Sequence, residues 1–171
     1  MDAPTAEPRI DIAINDTQTL LNVDPGPLRR LARNVLVGEG VTEAEVSITL
    51  VDDAAIHAIN RRHLGHDWPT DVITFSLGDP GETALDAELV ISAEMAARTA
   101  AEIRVDPAAE LSLYVVHGLL HLCGFDDLGP ADAARMRGRE AEVLAREGIL
   151  NTFSLIDDRA SARREGTSCS A

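Results

Sequence analysis

Aromatic side chains are scarce in this chain, with three phenylalanines, one tyrosine and one tryptophan among 171 residues. The core must therefore be aliphatic, and stacking platforms for single-stranded bases are few. Cysteine is nearly as rare: Cys123 lies in an apolar segment and Cys169 near the end. That placement argues against a structural disulfide and agrees with a reducing compartment. Positive charge is also short, with 15 basic against 29 acidic residues and a formal net charge of −14. This argues against a broad phosphate-binding surface, because non-specific affinity for nucleic acid comes mostly from lysine and arginine. RNA would have to be met in a local basic groove or presented by a protein partner. We find no basic-then-apolar N-terminal segment and no apolar run of membrane-spanning length, so the expected location is the cytoplasm, away from membranes.

Aliphatic material is ample. A hydrophobic content of 45% is enough for one globular domain, expected over residues 1–156, with a polar, unpatterned and disordered tail over 157–171. Ile10, Ile12 and Ile14 alternate between Arg9 and Asn15 as a half-buried strand, and Val46, Ile48 and Leu50 form a second. The Pro-Gly-Pro turn at 25–27 opens a helix carrying Leu28, Leu31, Ala32, Val35 and Leu36, which Gly38 ends. Asp52 caps a short helix running to about Arg62, and a loop follows from His63 to Pro69. Further strands are expected at Val72 to Leu77 and Glu88 to Ser92, separated by an acidic loop from Gly78 to Asp86. Helices then run from Ala93 to Arg104, from Pro107 behind an Asp106 cap, and from Pro130 to about Glu147. The helix from Pro107 is apolar nearly all round and so is the buried central one. This order predicts an α+β fold: a mixed four-stranded sheet with helices packed on it.

Chemistry concentrates where that central helix ends, in HGLLHLCGFDD over residues 117–127. His117 and His121 are four apart, which brings both imidazoles to one helical face where they can share a metal ion. Gly124 suits a left-handed turn past the helix end, returning the chain so that an acid faces the same point. Asp127 is best placed as the third ligand; Asp126 competes for that role or braces the turn. Three protein ligands leave a tetrahedral zinc one open position, the arrangement of a catalytic site. Cys123 falls on a different helical face and is expected to pack. Gly118 stands where HExxH proteases keep a glutamate base, which argues against a protease and suggests space beside the ion for a bulky phosphodiester.

HGLLHLCGFDD resembles the HGxLHLxGYDH signature of the YbeY-type rRNA maturation factors, metal-dependent endoribonucleases that process ribosomal RNA. Ile59 and Asn60, followed by Pro69, Thr70, Asp71, Val72, Ile73, Thr74 and Phe75, resemble the family's LN(x)8PTDVLSF stretch with the same gap. The resemblance covers roughly residues 45–148. It departs in two places: the family's third metal histidine falls on Asp127, and an arginine that some members carry falls on Leu64. Carboxylate for imidazole is tolerable at zinc but makes the ion a weaker Lewis acid. Leucine cannot replace a guanidinium facing phosphate, so Arg61 or Arg62 would have to reach the same place.

The resemblance implies a metal-dependent hydrolase, with one Zn2+ or another divalent ion per chain on His117, His121 and Asp127, cutting single-stranded RNA. It also implies ribosomal RNA and ribosomal or assembly proteins as partners, and no DNA. Asp71 is the candidate for orienting groups in the cleft, the alternative being a turn-stabilising role after Pro69 and Thr70. His63 and His66 belong to the loop that lines the corresponding region in the family and are candidate substrate contacts alongside Arg61 and Arg62. His57 receives no role. Two other classes stay open: a non-catalytic assembly factor that keeps a metal for stability, and an iron enzyme built on two histidines and a carboxylate.

Overall fold

Arg9–Asp16 forms β1, Pro25–Gly38 α1, Glu43–Val51 β2, Asp53–Leu64 α2, Val72–Ser76 β3 and Leu85–Ser92 β4. Ala93–Ile103, Pro107–Leu122 and Pro130–Arg146 follow as α3, α4 and α5. This is a computed structural model, and it describes residues 7–79 and 83–149. The expected tail over 157–171, and the end of the domain expected over 1–156, lie outside the described residues.

Local chemistry sets most boundaries. Asp24, Asp52, Ser92 and Asp106 precede α1 to α4, and each side chain accepts a hydrogen bond of 2.8–3.0 Å from a backbone N–H in the first turn. Caps of this kind satisfy donors that the helix leaves open and are each worth about 1 kcal/mol. Two boundaries differ from the sequence expectation. Helix α2 runs past Arg62 to Leu64, because the first residue able to turn it off is Gly65 at φ 71°; His63 and Leu64 are thus helical, not loop. Strand β4 starts at Leu85 instead of Glu88, because Leu85, Asp86 and Ala87 already pair with Ala44, Glu45 and Val46. Tertiary pairing overrides the acidic composition there.

The sheet has the order β1-β2-β4-β3, with β1, β2 and β4 parallel and β3 antiparallel to β4. It is the mixed four-stranded sheet of an α+β fold. One face, made by Ile12, Val46, Ile48, Leu50, Leu89 and Ile91, is buried with α1, α4 and α5. On the other, Val51, Ile73 and Val90 meet Ile56 of α2. Leu111, Leu119 and Leu120 of α4 are almost wholly buried, each contributing about 1.5–3 kcal/mol by leaving water.

At the outer edge, Arg9 N–H bonds Thr42 O on the β2 side, so Pro8, Ile10 and Ile12 turn their carbonyls outward. Arg29 of α1 donates from Nε to Ile12 O at 3.1 Å, and Arg33 donates from its two terminal nitrogens to Ile10 O and Pro8 O at 3.2 and 3.3 Å. All 15 basic side chains of the chain are arginines. No helix among the described residues is long and apolar enough to cross a membrane.

Candidate metal centre

Helix α4 ends by a closure that its sequence dictates. Gly124 takes φ 95°, and the chain folds back with Phe125 N–H on Leu120 O and Gly124 N–H on His121 O, both at 3.0 Å. Those two bonds are a Schellman closure, which needs a residue without a Cβ at that φ. The reversal brings Phe125 O to 3.0 Å from His121 Nδ1. A carbonyl only accepts, so His121 carries its proton on Nδ1 and its lone pair on Nε2.

His117 is set the same way from a different helix. Its Nδ1 lies 2.7 Å from Oε1 of Glu140, a residue of α5 that is 1% exposed. Burial by itself would lower the His117 pKa, but the hydrogen bond and charge of Glu140, with Asp71 and Asp127 further off, hold it above the ordinary histidine value. A carboxylate only accepts, so His117 also donates from Nδ1, and its neutral ring keeps the lone pair on Nε2. The two Nε2 atoms are 3.1 Å apart, and the Asp127 oxygens stand 3.9 Å from that of His117 and 3.7 Å from that of His121. A tetrahedral ion with bonds of about 2.0–2.1 Å spaces its ligand atoms by about 3.3–3.4 Å. Ligand atoms of all three residues fit within 4.8 Å of one another, so the group is able to hold one metal ion.

Neighbouring residues take other parts. Asp126 Oδ1 accepts from the N–H groups of Asp127 and Leu128 at 2.7 and 3.1 Å, which braces the turn and leaves Asp127 to face the histidines. Cys123 packs against the core, and burial pushes its thiol up to about 11. Gly118 corrects the sequence expectation. A Cβ there would stand 2.8 Å from Leu89 Cδ2 and 3.1 Å from Val72 Cγ2, so the missing side chain lets α4 press on β3 and β4 and leaves no room for substrate.

The PTDV block arrives beside His117. Asp71 Oδ1 accepts from Val72 N–H at 2.8 Å and from the Thr70 hydroxyl at 3.1 Å, so the turn-stabilising role is present. Its charge also raises the pKa of His117, though less than Glu140 does. Arg61 and Arg62 are exposed in the last turn of α2 and make no ion pair or side-chain hydrogen bond among the described residues. His63 meets Phe75 edge to face at 5.8 Å, and His66 stacks on Trp68 at 4.7 Å. Leu64 is 48% exposed. His57 pairs with Asp67 at 2.9 Å.

Two buried acids escaped the sequence reading. Glu140 sits in the apolar stripe of α5, between Met136 and Val143 and Leu144; an acid on that spacing was the available signal. Glu110, buried on α4, has an Oε2 without a partner among the described residues. Burial, then the charge of Asp71, raises its pKa against an opposing hydrogen bond from Tyr114.

Comparison with known proteins agrees on one family. The sequence profile described as Endoribonuclease YbeY matches residues 13–148. A protein of that name from Anaeromyxobacter sp. is 46% identical over 124 residues, 72% of this chain and 65% of its own length. Another, from Pelotomaculum thermopropionicum, is 41% identical over 145 residues, 79% of this chain and 95% of its own. The solution structure of a Thermotoga maritima protein matches in fold with a TM-score of 0.54 at 24% identity, covering 80% of this chain and 90% of that one.

Proposed function

The chain belongs to the Endoribonuclease YbeY family, and from that premise we propose that His117, His121 and Asp127 hold one divalent ion, zinc, at the scissile bond of single-stranded ribosomal RNA. One observation carries this reading. The Nε2 atoms of two imidazoles converge to 3.1 Å with a carboxylate 3.7–3.9 Å away, near the spacing of ligand atoms around one tetrahedral ion. Two nitrogens and one carboxylate oxygen are a donor set that suits zinc with one position open.

A bound divalent ion supplies Lewis acidity and a water of lowered pKa. The rest falls to the chain. Glu140 and the Phe125 carbonyl hold both imidazoles in the tautomer that leaves Nε2 free, while Asp127 adds a negative charge that tempers the centre. Asp71 spends one oxygen on its turn; we assign the other to orienting water or a substrate hydroxyl. Arg61, Arg62, His63 and His66 line the approach, and the two arginines meet the phosphates that flank the cut. With a net charge of −14 the protein draws RNA poorly by itself. Ribosomal or assembly proteins in the cytoplasm present the strand, and DNA is not a substrate.

The test is metal content and RNA cleavage in protein purified without chelator or nickel resin. Wild type should carry one divalent ion per chain and cut a single-stranded rRNA fragment, whereas His121→Ala should lose both. Unchanged metal in His121→Ala would remove the site, and iron in wild type would replace the zinc assignment.

A further inference from the structure

The only tryptophan of the chain lies in the loop between α2 and β3. Trp68 is 56% exposed, which wastes apolar area unless something covers it. His66 lies flat on one of its faces, with ring centroids 4.7 Å apart and planes 11° from parallel. The backbone that carries the indole is also tethered. Buried Asn60 donates from Nδ2 to Trp68 O at 2.7 Å, and His57 pairs with Asp67 at 2.9 Å, so α2 tethers two successive residues of the loop. A tethered loop whose ring is already stacked on His66 has less freedom to lose when a partner stacks on the other face.

The surroundings point to the partner. Arg61 and Arg62, on the last turn of the same helix, have no carboxylate partner among the described residues, in a chain where acids outnumber bases. Three residues after Trp68, Asp71 immediately precedes β3, whose Val72 packs beside Gly118, next to His117. One flat, half-exposed ring on a tethered loop, with free guanidinium groups on the anchoring helix and a short chain path to the metal centre, fits an unpaired nucleobase and its flanking phosphates. We propose that the face of Trp68 turned away from His66 is a stacking subsite for one unpaired base of the RNA, which makes the enzyme select single strands over duplex. This rests on the nuclease reading above.

Because Trp68 is the sole tryptophan, its fluorescence reports on the subsite directly. The full-length protein is titrated with a short single-stranded RNA, the same backbone lacking bases, and a duplex of the same sequence. The base-bearing single strand should quench the emission, and the other two should leave it nearly unchanged. With a labelled strand and anisotropy as readout, Trp68→Ala should weaken binding by roughly tenfold, and Trp68→Phe by less than about threefold. Equal quenching by the baseless strand, or unchanged affinity in Trp68→Ala, overturns the subsite. The two readings separate cleanly: cleavage that depends on His121 with no effect of Trp68→Ala rejects the subsite alone. Quenching by single strands in a protein that cuts no RNA rejects the nuclease and keeps the subsite.

Discussion

Removing the Glu140 carboxylate should weaken metal binding without touching any ligand atom. Glu140 is 1% exposed and 2.7 Å from His117 Nδ1, so cutting the side chain back to alanine removes a buried, charged acceptor that a neutral water does not match. His117 then loses the acceptor that fixes its tautomer, and any population with the proton on Nε2 cannot bind an ion. Loss of a carboxylate behind a ligating histidine commonly costs about 10–100-fold in metal affinity, or about 1.4–2.7 kcal/mol. Glu140→Ala belongs at the upper end, since both hydrogen bond and charge go. Glu140→Gln should fall at or below tenfold, since an amide oxygen still accepts from Nδ1 and only the charge is lost. Leaving that donor unpaired should also cost Glu140→Ala about 1–3 kcal/mol of folding stability. Competition against a chromophoric zinc chelator at neutral pH gives the affinities, and denaturant unfolding of the metal-free proteins gives the stabilities. If both variants bind zinc within twofold of wild type, Glu140 does not set His117, and the tautomer argument fails with it.

Gly118→Val should destabilise the protein by about 1–3 kcal/mol in denaturant unfolding, because the added Cβ meets Leu89 at 2.8 Å; a neutral result would show open space beside His117. Leu64→Arg, on an exposed position, should raise RNA turnover by about a hundred- to a thousandfold at constant metal content. If it does not, Arg61 and Arg62 already serve the phosphate, and their removal should slow the reaction instead. Asp53 provides a pH test. Burial raises its pKa, but the Ser92 hydroxyl and the Arg98 guanidinium outweigh that and hold it below the usual carboxylate value. Its stability contribution is therefore present above the ordinary aspartate pKa and lost as pH falls through the lowered one. Asp53→Asn should be less stable than wild type at pH 7 and equal to it near pH 2, as thermal unfolding at the two pH values would show.

What could be read from the sequence was what short-range geometry determines. His117, His121, Gly124 and Asp127 lie within eleven residues, and helical spacing plus one left-handed turn brings them together whatever the rest of the chain does. Helix starts were legible for the same reason, since Asp52 and Asp106 act on N–H groups two or three residues away. Glu140 reaches His117 across 23 positions, and no local pattern couples the two. Gly118 was misread because its meaning depends on Leu89 and Val72, which only the sheet brings near. The early start of β4 likewise follows from its partner β2 and not from its own composition.

The guanidinium groups along β1 decide what this sheet cannot do. A foreign strand arriving at that edge must find free carbonyls to zip onto, and those of Pro8, Ile10 and Ile12 are already engaged by Arg29 and Arg33. Arg33 holds two of them at once, which the forked head of arginine allows and the single ammonium of lysine does not. The opposite edge, β3, is only 5 residues long, too short a template for stable addition. Two guanidinium groups thereby occupy three outward acceptors of the longer margin, and replacing Arg33 by alanine would free two of them.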